Sequence, residues 1–431
     1  MFSFLRRDLP AVGRVFYPGA LPPTAESLNE LSAPVTVSRT EPARHQVWAV
    51  NATHPDWGSA EIAAERPQPP LLEILIAHSL ALSDDEKARA LTGESAISVE
   101  VTGQKDNVLR DRKRLLFWLR TLMRPDGVLA FDTESTLPWS QTMLDDELAH
   151  DADLDIEALY VLHAVRDDAD GTRTTWLHTH GLEGLGAFDV DVLRPSREFV
   201  GLCADPVRAL AFAALEGAIS SSTDSFMLTS PGGEIRLVPA DRFQAEAAPE
   251  HRELRTDDAA HSGRRAVVCD PVGGLFSLWR KRPTPSRFLS TVVEPAGVMP
   301  FSTPATELMA DRARRTLQVF DSLRNEFASL KLPCVVKLGY EVAGGGPTDR
   351  EHLWFEVHGV SGGKIDATLA NTPHRVPSLQ AGQRGEHDVE RLTDWLILSP
   401  EGQMTPRNLS AARRLRVTRE RWQQVIDGGR A

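Results

Sequence analysis

Two hydrophobic periods alternate along this sequence, and their alternation limits the folds that the chain can adopt. In runs such as 95–101 and 188–193 every second residue is apolar, which is typical of half-buried strands. In runs such as 109–123 the apolar residues recur at helical spacing, which is typical of helices with one buried face. Strands mixed with helices and joined partly by short turns predict an α+β fold, with mixed or antiparallel sheets covered by helices.

The length of the chain predicts more than one domain. Its 431 residues exceed one ordinary hydrophobic core, so two or three domains are expected. The predicted parts are an extended, Pro- and Gly-rich lead-in at 1–33, a mixed α+β region at 34–300, and a long helix with a small β-rich domain at 301–431. Within the second part, 34–125 and 126–300 are candidates for two similar layer sandwiches, and the polar run 244–265 is predicted to be exposed. The long helix is predicted over 303–330.

Charge and cysteine content disfavour several classes of function. The formal net charge of -12 disfavours a general nucleic-acid binder and suits a basic protein partner. Cys203, Cys269 and Cys334 are too few and too scattered for a disulfide framework or a thiolate zinc site, and predict buried thiols. The longest apolar run, 71–82, is too short to cross a bilayer, and the N-terminal residues lack the apolar core of a secretory signal. The predicted location is therefore cytoplasmic, without a membrane partner.

The sequence His178-Thr179-His180 is the strongest candidate site. Residues two apart in a strand project from the same face, so both imidazoles are expected to point the same way and to share a ligand. The surrounding run, 174–179, is predicted to pair antiparallel with a strand at 159–165 through a turn at 167–171.

Neighbouring predicted strands supply further ligand types. The complete candidate set for a ligand or metal is His163, His178, His180, Asp189 and Asp191. Three nitrogen or oxygen ligands from this set suit zinc or another divalent metal, which would activate water for hydrolysis. The alternative is that the imidazoles only bridge strands by hydrogen bonds. The sequence requires no cofactor, and because it has no complete catalytic set, no catalytic residue is assigned.

A second candidate site lies in the last third of the chain. Its residues are Glu351, His352, Trp354, Asp394 and Trp395, which are predicted to line an aromatic, polar pocket for a small ligand. The alternative is that both tryptophans are core anchors of a small β domain, since large aromatic side chains provide much of the burial available there.

The C-terminal tail is basic although the chain is acidic. Its arginines are Arg407, Arg413, Arg414, Arg416, Arg419 and Arg421. A helix carrying them is expected either to dock on an acidic partner or on the protein's own acidic surface, or to remain solvated. This asymmetry of charge is compatible with a homo-oligomer.

Motifs in the C-terminal third resemble a known family. In order along the chain they are Val336-Lys337, Glu-His-Leu-Trp at 351–354, Leu-Ala-Asn-Thr-Pro at 369–373, Gly382 and Asp394-Trp395. This series, over about the final quarter of the chain, resembles an uncharacterised bacterial family of small β-rich domains, the YegJ-like family.

The central run resembles a second uncharacterised bacterial family. Trp-Leu-His-Thr-His-Gly at 176–181 is followed by Gly186 and by the alternating strand 188–192. Members of the resembled family carry His-Thr-His-Gly followed by an acidic-apolar-acidic pattern and are often joined to a YegJ-like domain. The present chain has the shorter Asp189 and Asp191 where glutamates are usual.

The resemblances and the charge together favour binding over catalysis. Similar modules are common in bacterial toxin-immunity neighbourhoods, so we expect a non-catalytic cytoplasmic binding protein, most specifically an immunity-like protein. It would neutralise a basic toxin by occlusion, with acidic side chains paired to the toxin's basic site. The alternatives are a metal-dependent hydrolase that uses His178 and His180 with Asp189 or Asp191, and a module that senses a small ligand.

Overall fold

The chain forms two compact units. The computed structural model describes residues 10–428 apart from 32–33, 67, 72, 80, 103–107, 125, 167–173, 196–203, 230–232, 256–260, 262, 272–281, 292–302 and 346–348. The first unit comprises Met1–Ser79, Glu86–Gln141 and Ile156–Ser302, and the second comprises Leu80–Asp85, Thr142–Asp155 and Thr303–Ala431. A division at residue 300 differs from this one mainly by leaving two short segments, 80–85 and 142–155, in the first part.

The described part of the first unit contains two sheets. The strands of the first sheet are β1 (Ala11–Tyr17), β2 (Thr36–Thr40), β3 (Gln46–His54), β4 (Gly58–Glu65), β5 (Ser95–Val101), β6 (Leu129–Asp132) and β7 (Pro138–Trp139). Those of the second sheet are β8 (Val161–Arg166), β9 (Thr174–His180), β10 (Asp189–Leu193), β11 (Phe226–Thr229), β12 (Gly233–Pro239) and β13 (Arg265–Cys269). The first has the order β2-β3-β4-β5-β1-β6-β7 and is antiparallel throughout. The second has the order β11-β12-β13-β10-β9-β8 and is mixed, because β10 and β13 are parallel.

Eleven α-helices accompany the sheets in the described part of the chain. They are α1 (Glu73–His78), α2 (Asp84–Ala90), α3 (Val108–Met123), α4 (Gln141–Leu148), α5 (Ala204–Leu215), α6 (Ala240–Glu246), α7 (Pro249–Arg252), α8 (Arg287–Thr291), α9 (Thr303–Arg315), α10 (Leu317–Glu326) and α11 (Ser410–Gly428). Helix α3 covers β1, β5 and β6, and its Leu115, Leu119 and Leu122 are fully buried at helical spacing. Helix α6 packs on β12 and β13 over a core that includes Trp176 and Phe243.

The interpretation of residues 1–33 as an extended lead-in is wrong. Strand β1 lies inside the first sheet, hydrogen-bonded to β5 on one side and to β6 on the other. Its Val15, Phe16 and Tyr17 are buried. Pro10, Pro18 and Gly19, which suggested a lead-in, flank this strand, whereas Gly13 lies inside it and pairs with both neighbouring strands. Seven residues are enough to form a central strand.

The predicted division into two sandwiches at 125/126 is also wrong. Strands β6 and β7 follow that point in sequence but complete the first sheet, where β6 pairs with β1. The second sheet begins only at β8. The strand patterns contained no signal for this long-range pairing, since β1 and β6 are separated by most of the first sheet in sequence.

The described part of the second unit contains a six-stranded antiparallel sheet. Its strands are β14 (Cys334–Glu341), β15 (Arg350–Ser361), β16 (Lys364–Leu369), β17 (Arg384–Asp388), β18 (Leu392–Ser399) and β19 (Gly402–Met404), in the order β17-β16-β15-β14-β18-β19. Helices α9 and α10 pack on β18, and α11 packs beside β19. The core between them contains Phe320, Phe355 and Trp395, each fully buried.

The single helix predicted over 303–330 is interrupted. Helix α9 ends at Arg315 and α10 begins at Leu317, because Thr316 departs from helical geometry, with φ −98° and ψ 7°. The Thr316 hydroxyl donates to the carbonyl of Arg312 and accepts the indole N–H of Trp395 at 2.9 Å. A threonine that bonds back to the preceding turn bends a helix, and here the bend also satisfies a buried tryptophan.

The predicted fold class is confirmed: the protein is α+β, with open mixed and antiparallel sheets accompanied by helices. Among the residues that the structure describes, no helix combines the length and the apolar character needed to span a membrane.

Candidate metal site

Three adjacent strands position the central histidines. In the register of the second sheet, His178 of β9 lies opposite His163 of β8 and, on the other side, opposite Asp191 of β10. His180 lies two residues beyond His178 on the same strand and therefore on the same face. The structure thus places the predicted residues on neighbouring strands, as their sequence pattern indicated, although the turn predicted at 167–171 lies outside the described residues.

A glycine fixes the end of the central strand. Gly181, directly after His180, has φ 118°, a conformation that favours glycine. A Cβ atom at this position would lie 2.4 Å from the carbonyl oxygen of Leu159. Only glycine therefore allows the end of β9 to approach the segment before β8, directly after the position where His180 lies opposite Val161.

Four imidazoles gather on this face. One ligand atom from each of His163, His178 and His180 lies within 4.8 Å of the others, a spacing that could hold a metal ion. The fourth, His261, comes from the segment before β13, and its ring centroid lies 4.9 Å from that of His178 and 5.1 Å from that of His180. The Nε2 atoms of His178 and His261 are 3.3 Å apart.

Sequence reasoning missed His261. This residue stands in the polar run 244–265, which was predicted to be exposed, and no spacing rule links it to the histidines of β8 and β9. The structure corrects that prediction: Arg255 of the same run is 5% exposed, and His261 is half-buried against the cluster.

His178 is the most buried of the four histidines. It is 3% exposed, and its Nδ1 atom is buried without a hydrogen-bond partner among the residues that the structure describes. Burial, followed by the nearby His180 and His163, lowers the pKa of His178 to about 2. Burial likewise lowers the pKa of His163. Both imidazoles therefore remain neutral at physiological pH, which is the state that binds metals.

The indole of Trp176 forms one wall of the cluster. Its ring lies 4.0 Å from that of His178 and 4.7 Å from that of His261, centroid to centroid. Its Nε1–H donates to Asp191 at 3.1 Å, so the ring is fixed in place.

The two predicted carboxylate ligands are already paired. Asp191 is fully buried and accepts hydrogen bonds from Arg265 at 2.8 Å, from Arg255 at 3.1 Å and from Trp176. Two guanidinium groups and an indole thus surround Asp191, which leaves it poorly placed to bind a metal or to take a proton from water.

Asp189 has its own set of partners. It accepts the hydroxyl of Thr179 at 2.7 Å and the backbone N–H of Leu182 at 3.3 Å, and it lies 3.9 Å from Arg265. Burial raises the pKa of Asp189, opposed by these donors. These contacts hold β10 against β9 and against the turn at Gly181. Because both Asp189 and Asp191 already have partners, the geometry favours a metal-ligand set made of histidines alone.

The C-terminal candidate pocket does not form as predicted. Lys337 lies opposite Trp354 on one side and opposite Asp394 on the other, so these three residues share one face of the third sheet. The Lys337 ammonium lies 5.3 Å from the centroid of the Trp354 ring, and His352 on the same face contacts Thr393 at 3.1 Å.

The remaining two predicted residues lie on the other face. Trp395 is fully buried against Phe320 and donates to Thr316. Glu351 accepts the backbone N–H groups of His374 and Arg375, each at 2.7 Å. The sheet therefore separates the two tryptophans, and the alternative that Trp395 is a core anchor agrees with this geometry.

The basic tail contacts the second unit's own acids. In α11, Arg413 pairs with Asp146 at 2.7 Å and Arg416 pairs with Glu326 at 2.9 Å. Arg407 lies 3.4 Å from Asp394. Of the three predicted environments for these arginines, docking on the protein's own acidic surface is therefore realised for part of the set.

The cysteines follow the predicted pattern where they are described. Cys269 and Cys334 are free and buried, whereas Cys203 lies outside the described residues. Burial raises the pKa of Cys334 to about 11, so its thiol stays protonated and unreactive at neutral pH.

In comparisons with known proteins, two segments of this chain match protein families. Residues 162–242 match a family described as a protein of unknown function (DUF4026), C-terminal. Residues 305–413 match a family described as an uncharacterized protein conserved in bacteria (DUF2314). Comparisons with curated proteins and with solved structures gave no match. The chain therefore has an uncharacterised two-domain architecture, which confirms the two resemblances at that level.

The segment matched to the first family contains most of the candidate metal site. The matched residues 162–242 include His163, His178 and His180, whereas His261 lies beyond them. The fourth imidazole is therefore supplied by a part of the chain that follows the matched segment.

Proposed function

We propose that the second sheet of the first unit binds one divalent transition metal ion through His163, His178, His180 and His261, and that Zn²⁺ fits best. The single observation that carries this proposal is the gathering of four imidazoles on one face. The 3.3 Å between the Nε2 atoms of His178 and His261 is the separation of two ligands on a tetrahedral zinc ion, roughly 3.3 Å for bonds of about 2.0–2.1 Å.

The electrostatics of the site support a metal of this kind. The low pKa values of His178 and His163 keep their nitrogens free of protons that would compete with the ion. Imidazole ligands suit zinc, copper, iron and nickel, whereas calcium and magnesium require oxygen ligands.

We propose that this metal is structural rather than catalytic. A hydrolase built on His178 and His180 would use Asp189 or Asp191 to position or deprotonate water. Asp191 is instead surrounded by Arg255 and Arg265, and Asp189 is held by Thr179. The geometry therefore favours the non-catalytic interpretation over the metal-dependent hydrolase.

At the level of the whole chain, we propose a cytoplasmic, non-catalytic binding protein, immunity-like in that it occludes a basic toxin. The net charge of -12 supports a basic partner, which acidic side chains would recognise. We also propose the narrower family assignments, with a YegJ-like C-terminal domain and His-Thr-His-Gly as the hallmark of the central domain. Sensing of a small ligand at the C-terminal sheet receives less support, because that pocket is divided between two faces.

Metal content tests the metal proposal. Mass spectrometry of the purified protein should find close to one metal ion per chain, and the double variant His178→Ala, His180→Ala should lose it. The matched control is His358→Ala, His374→Ala, which removes two exposed histidines elsewhere and should keep the metal. A native protein that is folded yet takes up no zinc when supplied with it would overturn the proposal.

Binding to basic toxins tests the partner proposal. Calorimetry with a panel of purified basic toxins should give, for at least one of them, an affinity that weakens as ionic strength rises, since salt screens exposed charges. Chelation of the metal should leave this affinity intact as long as the protein remains folded. Failure to bind any of these toxins at low ionic strength would contradict the proposal.

A further inference from the structure

One arginine connects the buried carboxylate to the fourth histidine. The Nε–H of Arg255 donates to Asp191 Oδ2 at 3.1 Å, and its Nη2 donates to the backbone carbonyl oxygen of His261, also at 3.1 Å. The Arg255 side chain is 1% exposed, so it is almost entirely shielded from water.

We infer that Arg255 is a positioning residue: by holding Asp191 and the His261 carbonyl together, it sets the His261 imidazole beside His178 and closes the metal site. This inference rests on the proposed metal site and deepens it. It assigns Arg255 no contact with the ion, since the arginine acts through His261.

His261 needs a positioning residue because it is held differently from the other three histidines. His163, His178 and His180 lie on paired strands, whose ladder hydrogen bonds fix their positions. His261 precedes β13, and the backbone of that residue is tied to the cluster by Arg255. The planar guanidinium can make both bonds at once, whereas a lysine ammonium at the end of a flexible chain cannot reproduce this fork.

Asp191 anchors the arrangement on the other side. Its second oxygen is shared with Arg265 and the indole of Trp176, and that indole packs against both His178 and His261. Asp191, Arg255 and Trp176 therefore form a support around the histidine pair. Without Arg255, three histidines would remain on the strands, and water would take the fourth position of the metal.

The test uses Co²⁺ as the probe, because its visible absorption reports the number and geometry of its ligands. Four full-length proteins are compared with the native chain: Arg255→Gln, His261→Ala, the double variant, and the control Arg264→Gln. Arg264 is an exposed neighbour whose Nη1 donates to the Gly186 carbonyl at 3.4 Å, so its substitution removes the same charge while leaving the side chains of the cluster unchanged.

We expect Arg255→Gln to weaken Co²⁺ binding by roughly 10–100-fold, the usual cost of losing an outer-shell partner. Its spectrum should lose intensity and match that of His261→Ala. The double variant should bind no more weakly than His261→Ala alone, because Arg255 acts through that residue. Arg264→Gln should match the native protein in both affinity and spectrum.

Three results separate the two proposals. A native chain that binds neither Co²⁺ nor Zn²⁺ would contradict both the proposed metal site and this inference. A native chain that binds Co²⁺, with Arg255→Gln indistinguishable from it, would overturn only the role of Arg255. A double variant much weaker than His261→Ala would also overturn that role, since the two losses would then be independent.

Arg255→Lys keeps the experiment decisive if the glutamine variant fails to fold. Lysine retains the cation beside Asp191 but makes only one of the two bonds. We expect the folded Lys variant to show the spectrum of His261→Ala, and a native spectrum in that variant would contradict the inference.

Discussion

The two candidate sites of this protein have similar sequence patterns but different three-dimensional arrangements. Both were short runs of histidine, acid and tryptophan on predicted strands. In the second sheet the structure gathers His163, His178 and His180 on one face and adds His261. In the third sheet it puts Trp354 on one face and Trp395 on the other.

The periodicity of a strand explains the difference. His178 and His180 are two apart, so they must share a face. Glu351-His352 and Asp394-Trp395 are consecutive pairs, and consecutive residues in a strand point to opposite faces. A site proposed from a strand motif is therefore sound when its members are spaced by two, and is divided when they are adjacent.

The largest effect is expected from Trp395→Ala, which tests the core side of the divided site. Removing this fully buried ring should cost about 4–5 kcal/mol of stability, because it leaves a cavity beside Phe320 and deprives Thr316 of its indole donor. Urea unfolding followed by circular dichroism measures the loss. A change below about 1 kcal/mol would contradict the assignment of Trp395 to the core.

The next effect is expected from Asp191→Asn in the assembled site. This change removes the carboxylate charge that Arg255 and Arg265 share, and should cost about 3–4 kcal/mol, as breaking a buried ion pair does. The control is Glu246→Gln, which breaks an exposed pair with Arg242 and should cost about 1 kcal/mol or less. Equal losses in the two variants, measured by thermal unfolding, would argue against a buried support around the histidines.

A smaller effect is expected from Trp354→Ala, the partner of Trp395 in the predicted pocket. Trp354 is half-buried on the open face beside Lys337, so its removal should cost at most about 1–2 kcal/mol of burial and cation–π contact. Denaturant unfolding of this variant beside Trp395→Ala checks the comparison directly. A loss as large as that of Trp395→Ala would mean that the two tryptophans share one core.

The smallest effect concerns the titration of His352 on the same open face. Burial, followed by the nearby cations Lys337 and Arg350, lowers the pKa of His352, because a positive charge disfavours the imidazolium. Nuclear magnetic resonance should therefore find a midpoint below the ordinary value of 6.5, which rises in Lys337→Met. Lys331→Met, an exposed lysine that is no cause of the shift, should leave the midpoint unchanged. A His352 midpoint that is the same in Lys337→Met and in the native protein would contradict an electrostatic effect of Lys337 on His352.

Much of the local structure was predictable from the sequence. The strands predicted at 159–165, 174–179 and 188–193 correspond to β8, β9 and β10, and the predicted antiparallel pairing of the first two is confirmed. The α+β class followed in the same way. These predictions succeeded because the alternation of apolar residues records which face of a strand is buried.

The sequence pattern also predicted three of the four histidines of the candidate site, since their spacing and the order of their strands sufficed to bring them together. It did not predict that His261 joins them. His261 reaches the cluster through Arg255 and Asp191, and no local pattern records a contact between residues so far apart in the chain.

What the sequence by itself determined was the period of each segment, and with it the type and the buried face of each element. The tertiary structure alone decided which strands are neighbours and which charges are paired. It inserted β1 between β5 and β6, and it buried Arg112 beside Asp132, although charged residues on a helix normally face water. Such pairings depend on the relative positions of distant segments, which a local hydrophobic period does not encode.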